Sequence, residues 1–369
     1  MNILYISKMT GQLWAGPNTS VPMQIVAQSK MDHVFWYNMN QIKLEKWSEM
    51  GAVCHNINDY PTGRLNDLPS PFNCPDIAVV EEFYTFPFSP MVRDLKKKNI
   101  PYVIVPRSTM TKQAQNHKPI KKFIGNLVWF RKMAARASAI HFLTEEEKND
   151  CTIKWNDNSF VIPNGIDVPE YHEKQFCPNG INAVYIGRIE VYQKGLDILC
   201  ETLARVKDQL RSAGFSLVIY GPDRENSKAA IEQMISDMDL SDLVSIKDAV
   251  FGEEKKTILQ KADLFMMTSR FEGLPMGLLE ALAWGVPSLV TTGTNMATQV
   301  AECQAGWVAE NTSDSVADAI ERMLSEKAKL PDKGKNAVAL ARKYSWDAIA
   351  RDSHEVYCSI LKRNQKECR

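Results

Sequence analysis

The sequence predicts an α/β protein made of two doubly wound parallel-sheet domains. Its 369 residues exceed the roughly 250–300 at which one hydrophobic core usually stops growing. Short uninterrupted apolar runs alternate with helical patterns along both halves, as parallel strands covered on both faces require. Between the halves, "IPNGIDVPEYHEKQFCPNGIN" (Ile162 to Asn182) collects Pro, Gly, Asn and charge without a periodic element and reads as a connection.

Taken in order, "NILYIS", "HVFWY", "DIAVVEEF", "YVIVP", "AIHFLT" and "FVIPNG" are the strands expected in the first half. "NAVYIGR", "SLVIYG", "LVSIKDAVF", "DLFMMTS" and "PSLVTT" repeat the scheme in the second half. After the last of these the chain is expected to be mainly helical. Trp346, Ile349, Ala350, Val356, Tyr357 and Leu361 fall on one stripe of a terminal helix. The expected division is an N-terminal domain at 1–163, a linker at 164–182, a C-terminal domain at 183–344 and the terminal helix at 345–369.

Apolar residues are 44 % of the chain and charged ones 24 %, an ordinary globular balance. Forty-four basic residues offset forty-four acidic ones, and no recognition module is visible, so nucleic acid is not an expected partner. The eight cysteines are scattered without a paired framework, which suits a reducing compartment. "MNILYIS" lacks the features of a secretory leader, and no apolar run reaches the roughly 18 residues of a membrane span. A cytoplasmic protein, at most peripheral to a membrane, is expected.

Two segments carry chemistry. In "RFEGLPMGLLEALAWGVP" (Arg270 to Pro287) Pro275 suits the start of a helix and Gly285 and Pro287 its end. A helix N-terminus offers free N–H groups and partial positive charge to a phosphate. Glu280 then lies about 6 Å along the axis from Met276, at 1.5 Å per residue. With a diphosphate at that end, Glu272 before the helix and Glu280 inside it reach sugars on its two sides. In "YIGRIEVYQKGLDIL" an apolar strand runs into Gly187 and Arg188, and Lys194 and Gly195 open the next helix. Glycine admits close backbone approach and the cations neutralise phosphate. Both segments fall at the carboxyl edge of a parallel sheet, where open α/β folds bind ligands.

"VIPNGID", "GRIEVYQKG", "YGPD" and "SRFEGLPMGLLEALAWGVP" resemble the signature segments of glycosyltransferase family 4, retaining enzymes with the GT-B fold of two Rossmann-like domains facing across a cleft. Order and spacing match from Ile162 to Gly306, and two glutamates separated by seven residues are the most specific element. The resemblance implies that Arg188 and Lys194 hold the donor diphosphate as leaving group, that Glu272 contacts the donor sugar and that Glu280 takes the ribose hydroxyls. Backbone N–H groups of Leu274, Met276 and Gly277 would complete the cradle, with Pro275 donating nothing. The base is expected between Tyr220-Gly221-Pro222 and the turn at Ala249-Val250-Phe251, with Val250 against it. The implied donor is a nucleoside-diphosphate sugar, UDP favoured over GDP. No cofactor or metal is implied, and the terminal helix would return to the first domain, anchored by Trp346 and Tyr357.

In the first half, "TGQLWAGPNTSVPMQIV" reads as a turn before a helix. The family's equivalent loop faces the cleft, which makes Gly16 and Asn18 candidate contacts. Where many relatives carry a histidine in a Pro-His-Gly context, this chain has "VPRSTM", as a polysaccharide-assembling subgroup does. Arg107 is therefore a candidate for an acceptor phosphate or the donor sugar, and a catalytic-histidine role does not carry over to it. His117, nearby in sequence, has no such role assigned. From Arg93 to Arg136 there are twelve basic residues and one acid, Asp94. Within that stretch "KPIKKFIGNLVWFRKMAAR" (Lys118 to Arg136) interleaves cations with Phe123, Leu127, Trp129, Phe130 and Met133. It reads either as a solvated helix or as a helix lying on anionic lipid.

The expected function is transfer of a hexose, with retention, to a glycan or lipid-linked glycan hydroxyl in capsular, exopolysaccharide or lipopolysaccharide assembly. A sugar-nucleotide epimerase or phosphorylase of the same fold, or a noncatalytic nucleotide-binding partner, stands as the alternative.

Overall fold

A computed structural model describes residues 1–11, 17–84, 90–116, 119–151, 153–170, 174–223 and 226–367. The chain divides into two compact units, Met1–Gly165 with Trp346–Arg369, and Ile166–Ser345.

The first unit contains β1 (Asn2–Ser7), α1 (Pro17–Ser29), β2 (His33–Asn38), α2 (Glu45–Glu49), β3 (Cys54–Asn56), β4 (Ile77–Glu81) and α3 (Pro90–Lys97). It continues with β5 (Tyr102–Val105), α4 (Lys112–Asn116), α5 (Pro119–Gly125), α6 (Arg131–Arg136), β6 (Ala139–Phe142), α7 (Glu145–Asn149) and β7 (Ser159–Val161). Among the described residues its strands form one parallel sheet in the order β3-β2-β1-β4-β5-β6-β7. The second unit contains β8 (Ile181–Ile186), α8 (Leu196–Arg205), α9 (Lys207–Ser212), β9 (Phe215–Tyr220), α10 (Ser227–Asp237), β10 (Val244–Lys247), α11 (Gly252–Lys261) and β11 (Leu264–Met267). Then come α12 (Met276–Ala283), β12 (Ser288–Thr291), α13 (Ala297–Glu302), β13 (Gly306–Ala309), α14 (Ser313–Ser325) and α15 (Leu330–Arg342). Its parallel sheet runs β10-β9-β8-β11-β12-β13.

The central strands show why unbroken apolar runs predict such sheets. Successive side chains point to opposite faces, so a strand covered on both sides must be apolar at every position. In β1, Leu4 and Ile6 enter one core and Ile3 and Tyr5 the other. In β8, Ala183 and Tyr185 enter one core of the second unit, and Val184 and Ile186 the other. The order of the second sheet places β8 beside β11, with the chain leaving β8 for one side of the sheet and β11 for the other. That is the switch point at which the carboxyl ends open a crevice.

Three expectations are corrected. β3 and β13 were not anticipated: each is short and sits at a sheet edge, where "CHN" and "GWVA" carry too few residues for period-two alternation. The stretch 164–182 is largely part of the second unit rather than a free connection. Lys174 Nζ donates to the carbonyls of Leu259 and Gln260, at 3.0 and 2.7 Å, and Cys177 N donates to Asp263 Oδ1 at 2.8 Å. Within the described part of the stretch Ile166 is buried in the second unit's core, and Val168 and Phe176 pack against its two cores, apolar positions too widely spaced to show as a periodic element.

The last helix, α16 (Trp346–Glu367), belongs to the first unit and packs on α1. Ile349, Ala350, Ser353, Tyr357 and Ile360 are buried along it, and the Trp346 ring lies where a Cβ on Gly165 would stand. Its polar anchor is Asp32, fully buried, whose carboxylate accepts from the N-terminal amine at 2.9 Å, His354 Nδ1 at 2.9 Å and Gln28 Nε2 at 2.6 Å. Burial alone would raise this carboxyl, but the hydrogen bonds from His354, the amine and Gln28 outweigh it and its pKa is lowered. A folded-state pKa below the unfolded one gives stability that is complete above about pH 4 and is lost as pH falls through the lower folded value. Asp32→Asn is therefore expected to lose less stability than wild type between about pH 4 and pH 2, measured by urea unfolding across that range. Parallel losses in the two proteins would contradict the anchor.

Candidate functional site

The site in the second unit begins where β8 ends. Gly187 N donates to Tyr220 O at 3.0 Å, drawing the ends of β8 and β9 together. A Cβ on Gly221 would stand 1.7 Å from Gly187 O, so no other residue fits there. Tyr185 OH donates to Arg188 O at 2.8 Å and holds the backbone at the following turn. The Arg188 side chain is 40 % exposed, with Nη1 3.7 Å from Glu190 Oε2 and Nη2 3.2 Å from Gln193 Oε1. It is held loosely and faces solvent.

Lys194 is placed differently. Gly195 caps α8 in the left-handed region at φ +61°, and a Cβ there would lie 2.0 Å from Thr268 O. This close approach brings the loop after β8 against the loop after β11. Arg270 and Asp197 add a bidentate pair at 2.7 and 2.8 Å across the same seam. Within it Lys194 Nζ donates to Glu272 Oε1 at 2.5 Å, with the side chains 8 % and 9 % exposed. Ser269 Oγ donates to the same oxygen at 2.8 Å. The paired carboxylate and ammonium satisfy each other in a poorly solvated place, where either alone would be costly.

The helix α12 starts over the same strand. Pro275 is its N-cap residue and Met276 its first helical one. A Cβ on Gly277 would stand 2.4 Å from Ile186 O, so glycine lets the helix rest on the end of β8. The first intrahelical hydrogen bond recorded at this end runs from Leu279 N to Pro275 O at 3.1 Å. N–H groups of the first turn therefore point beyond the helix, as a helix start dictates. Leu274 packs against the core beneath, while Met276 is 36 % exposed. Glu280 forms an ion pair with Lys255 of α11. Tyr220 and Val250 belong to the apolar cluster that also contains Leu278 and Leu279.

Arg188, Lys194, Glu272, Leu274, Met276 and Gly277 are thus gathered at the carboxyl end of β8, with Glu280 one turn into α12. The half-exposed Arg188 and the helix N-terminus can take an anionic group there, while Lys194 and Glu272, as they stand, satisfy each other and Glu280 is paired with Lys255. Sequence reasoning missed Ser269 and Lys255, the partners of the two glutamates. Ser269 had a signal, being a hydroxyl residue two positions after a strand and upstream of Glu272, whereas nothing in "GEEKKTILQK" distinguishes Lys255 from its neighbours.

In the first unit Gly16 and His117 lie outside the described residues. Asn18 is buried near the start of α1, and its Oδ1 accepts from Gly11 N at 3.3 Å. Arg107, at φ +49°, is 8 % exposed and donates to Glu81 Oε2 at 2.7 Å and to Ser20 Oγ at 3.0 Å. Its charge is already balanced by Glu81, which distinguishes it from Arg188. Glu82, at φ +73°, stands next to that pair, and burial followed by repulsion from Glu81 raises its carboxyl.

From Lys118 onward the described part, Pro119 to Arg136, is α5, a π-helical turn at Asn126–Phe130 and α6. Phe123, Ile124, Leu127, Val128 and Trp129 are all substantially exposed, while Phe130 and Met133 are buried. So concentrated an apolar surface normally marks a contact. Among the described residues no helix is long and apolar enough to cross a membrane.

Residues 180–326 match the family model described as glycosyl transferases group 1. A GDP-mannose:cellobiosyl-diphosphopolyprenol alpha-mannosyltransferase of Xanthomonas oryzae pv. oryzae is 28 % identical over 165 residues, 43 % of this chain and 42 % of that protein. The chain thus spans less than half the length of the curated relative it matches. Similar solved structures are a glycosyltransferase from Rickettsia africae (TM-score 0.67, 14 % identity, 98 % of each chain) and Anabaena HepE in complex with UDP and glucose (TM-score 0.62, 16 % identity, 97 % of this chain and 100 % of that one). Residues 180–326 are thus similar to the group 1 glycosyltransferases, and the chain carries the GT-B fold.

Proposed function

We propose that the chain moves a hexose from a nucleoside-diphosphate sugar to a glycan hydroxyl, with retention, in the assembly of a lipid-linked polysaccharide. The observation that carries this reading is that Arg188, Lys194 and the α12 N-terminus all stand beside the end of β8, with Glu272 paired to Lys194 and Glu280 one turn into α12. Arg188, Lys194 and the N–H groups of Met276 and Gly277 take the diphosphate and stabilise the charge that develops as it leaves. Glu272 faces the donor sugar, and Glu280 exchanges its lysine partner for the ribose hydroxyls. The acceptor oxygen bonds to the sugar's anomeric carbon on the face from which the phosphate departs, and its proton passes to a phosphate oxygen. Among relatives, the mannosyltransferase's diphosphopolyprenol acceptor supports a lipid-linked acceptor here. HepE's complex with UDP and glucose supports UDP as the carrier, although the mannosyltransferase's donor is GDP-mannose.

Incubation with UDP- and GDP-hexoses, with and without lipid-linked glycan acceptors, tests the proposal. Release of nucleoside diphosphate with a product of the donor's anomeric configuration supports it. A new nucleotide sugar formed without acceptor makes the chain an epimerase, and tight nucleotide binding without turnover makes it a binding partner. Glu280→Ala is expected to weaken nucleotide binding by about 1–3 kcal/mol, the cost of losing hydrogen bonds to a charged group. Unchanged affinity in calorimetry would remove its ribose role.

The same reading places the chain at the inner face of a membrane, through Phe123, Leu127 and Trp129 with Lys121, Arg131 and Lys132, all exposed. Lys122 differs, since its Nζ donates to Ala114 O and lies 4.8 Å from the Tyr84 ring centre. Replacing Lys121, Arg131 and Lys132 by Gln is expected to weaken sedimentation with anionic vesicles by about 1 kcal/mol per charge and to leave nucleotide affinity intact. Equal sedimentation of the variant and wild type would leave these residues as a solvated face.

A further inference from the structure

A cavity of about 530 Å³ opens in the first unit at the other edge of its sheet. Its walls include Ile100 and Pro101 ahead of β5, Ser138 ahead of β6 and Asn158 ahead of β7. It therefore lies at the amino ends of these strands, whereas Glu81 and Arg107 stand at or beyond the carboxyl ends of β4 and β5. Three cations meet there from three helices: Lys96 of α3, Arg136 of α6 and Arg363 of α16. Among the described residues no carboxylate lines the cavity. Arg363 is oriented by neutral acceptors, donating to Asn158 Oδ1 and Ser138 O at 3.0 Å each. Lys96 is held below the ordinary lysine value by burial and then by the charge of Arg136.

Lys96 and Arg136 stand at the carboxyl ends of their helices, where a cation offsets the helix dipole. That role explains each singly. It is met equally well on open surface and does not call for a third cation to join them over one hollow. Like charges brought together without a counter-charge leave a positive potential that an anion would relieve. The volume falls within the range of small-molecule sites, and Asn99 and Asn364 on its walls add neutral amide groups.

We propose that this cavity is a second anion site, separate from the one on the other unit, that takes the phosphate group of a phosphomonoester or diphosphate. Two cations with Arg363 already oriented suit a group of two negative charges, and guanidinium groups suit phosphate oxygens. The group could be presented by a free metabolite or by a lipid headgroup, since both carry the same phosphate. The proposal does not depend on glycosyl transfer.

Calorimetric titration of the full chain with inorganic pyrophosphate at low ionic strength tests it. Wild type is compared with Lys96→Gln/Arg136→Gln, which leaves the orienting contacts of Arg363 in place. The double variant is expected to lose one pyrophosphate per chain, or to bind it at least tenfold more weakly, with UDP affinity unchanged. An identical pyrophosphate isotherm in the two proteins would overturn the site. If the double variant melts early, Lys96→Gln alone, at a partly exposed position, carries the same comparison. Vesicles of phosphatidylcholine, with or without phosphatidylglycerol, then identify the source. Displacement of pyrophosphate by the anionic vesicles alone assigns a lipid headgroup, and no displacement by either assigns a soluble phosphate compound.

Discussion

Lys194→Ala is expected to lower turnover by roughly 100- to 1,000-fold at saturating donor, the usual effect of removing a group aimed at developing charge. It is also expected to destabilise the second unit by about 3–5 kcal/mol. Both effects follow from one contact. Lys194 Nζ lies 2.5 Å from Glu272 Oε1, and both side chains are almost fully buried. Without the ammonium, Glu272 keeps Ser269 as a donor but stands as an uncompensated charge. The two losses separate in a double variant, Lys194→Met with Glu272→Gln, which removes the stranded charge. Its stability should recover while turnover stays low. Urea unfolding beside steady-state rates checks this, and a Lys194→Ala protein of normal stability and rate would refute both parts.

Arg188→Ala is expected to lower turnover by a similar factor, about 100-fold, with stability changed by no more than about 0.5 kcal/mol. Its side chain is 40 % exposed and stands 3.7 Å from Glu190, and exposed pairs of this kind contribute little to folding. The loss should appear mainly in kcat, because a leaving group's charge grows between ground and transition state. A rise in KM with kcat intact would make Arg188 a ground-state contact instead.

The contrast between these two cations was not legible in the sequence. Both follow or precede a glycine in one loop, and their assignment to phosphate used charge, position at a strand end and the family resemblance, none of which separates them. What separates them is the neighbouring loop: Thr268 against Gly195 and Arg270 against Asp197 close the seam over Lys194 and leave Arg188 outside it. These contacts join residues more than seventy positions apart, and no local pattern records them. The fold class was legible because β1 and β8 are apolar at successive positions and feed two cores at once. β3 and β13 were not, because three or four residues at an edge need no such pattern. Arg107 shows the same limit. Its place where relatives carry a histidine marked it as a candidate contact, but its pairing with Glu81 comes from the adjacent strand β4.

The most direct test of the central claim is a crystal structure of the chain with UDP. Both phosphates are expected within hydrogen-bond reach of Arg188, Lys194 and the N–H groups of Met276 and Gly277, with the ribose hydroxyls on Glu280 and Lys255 displaced from it. A diphosphate bound elsewhere, with the Lys194–Glu272 and Lys255–Glu280 pairs both intact, would contradict it.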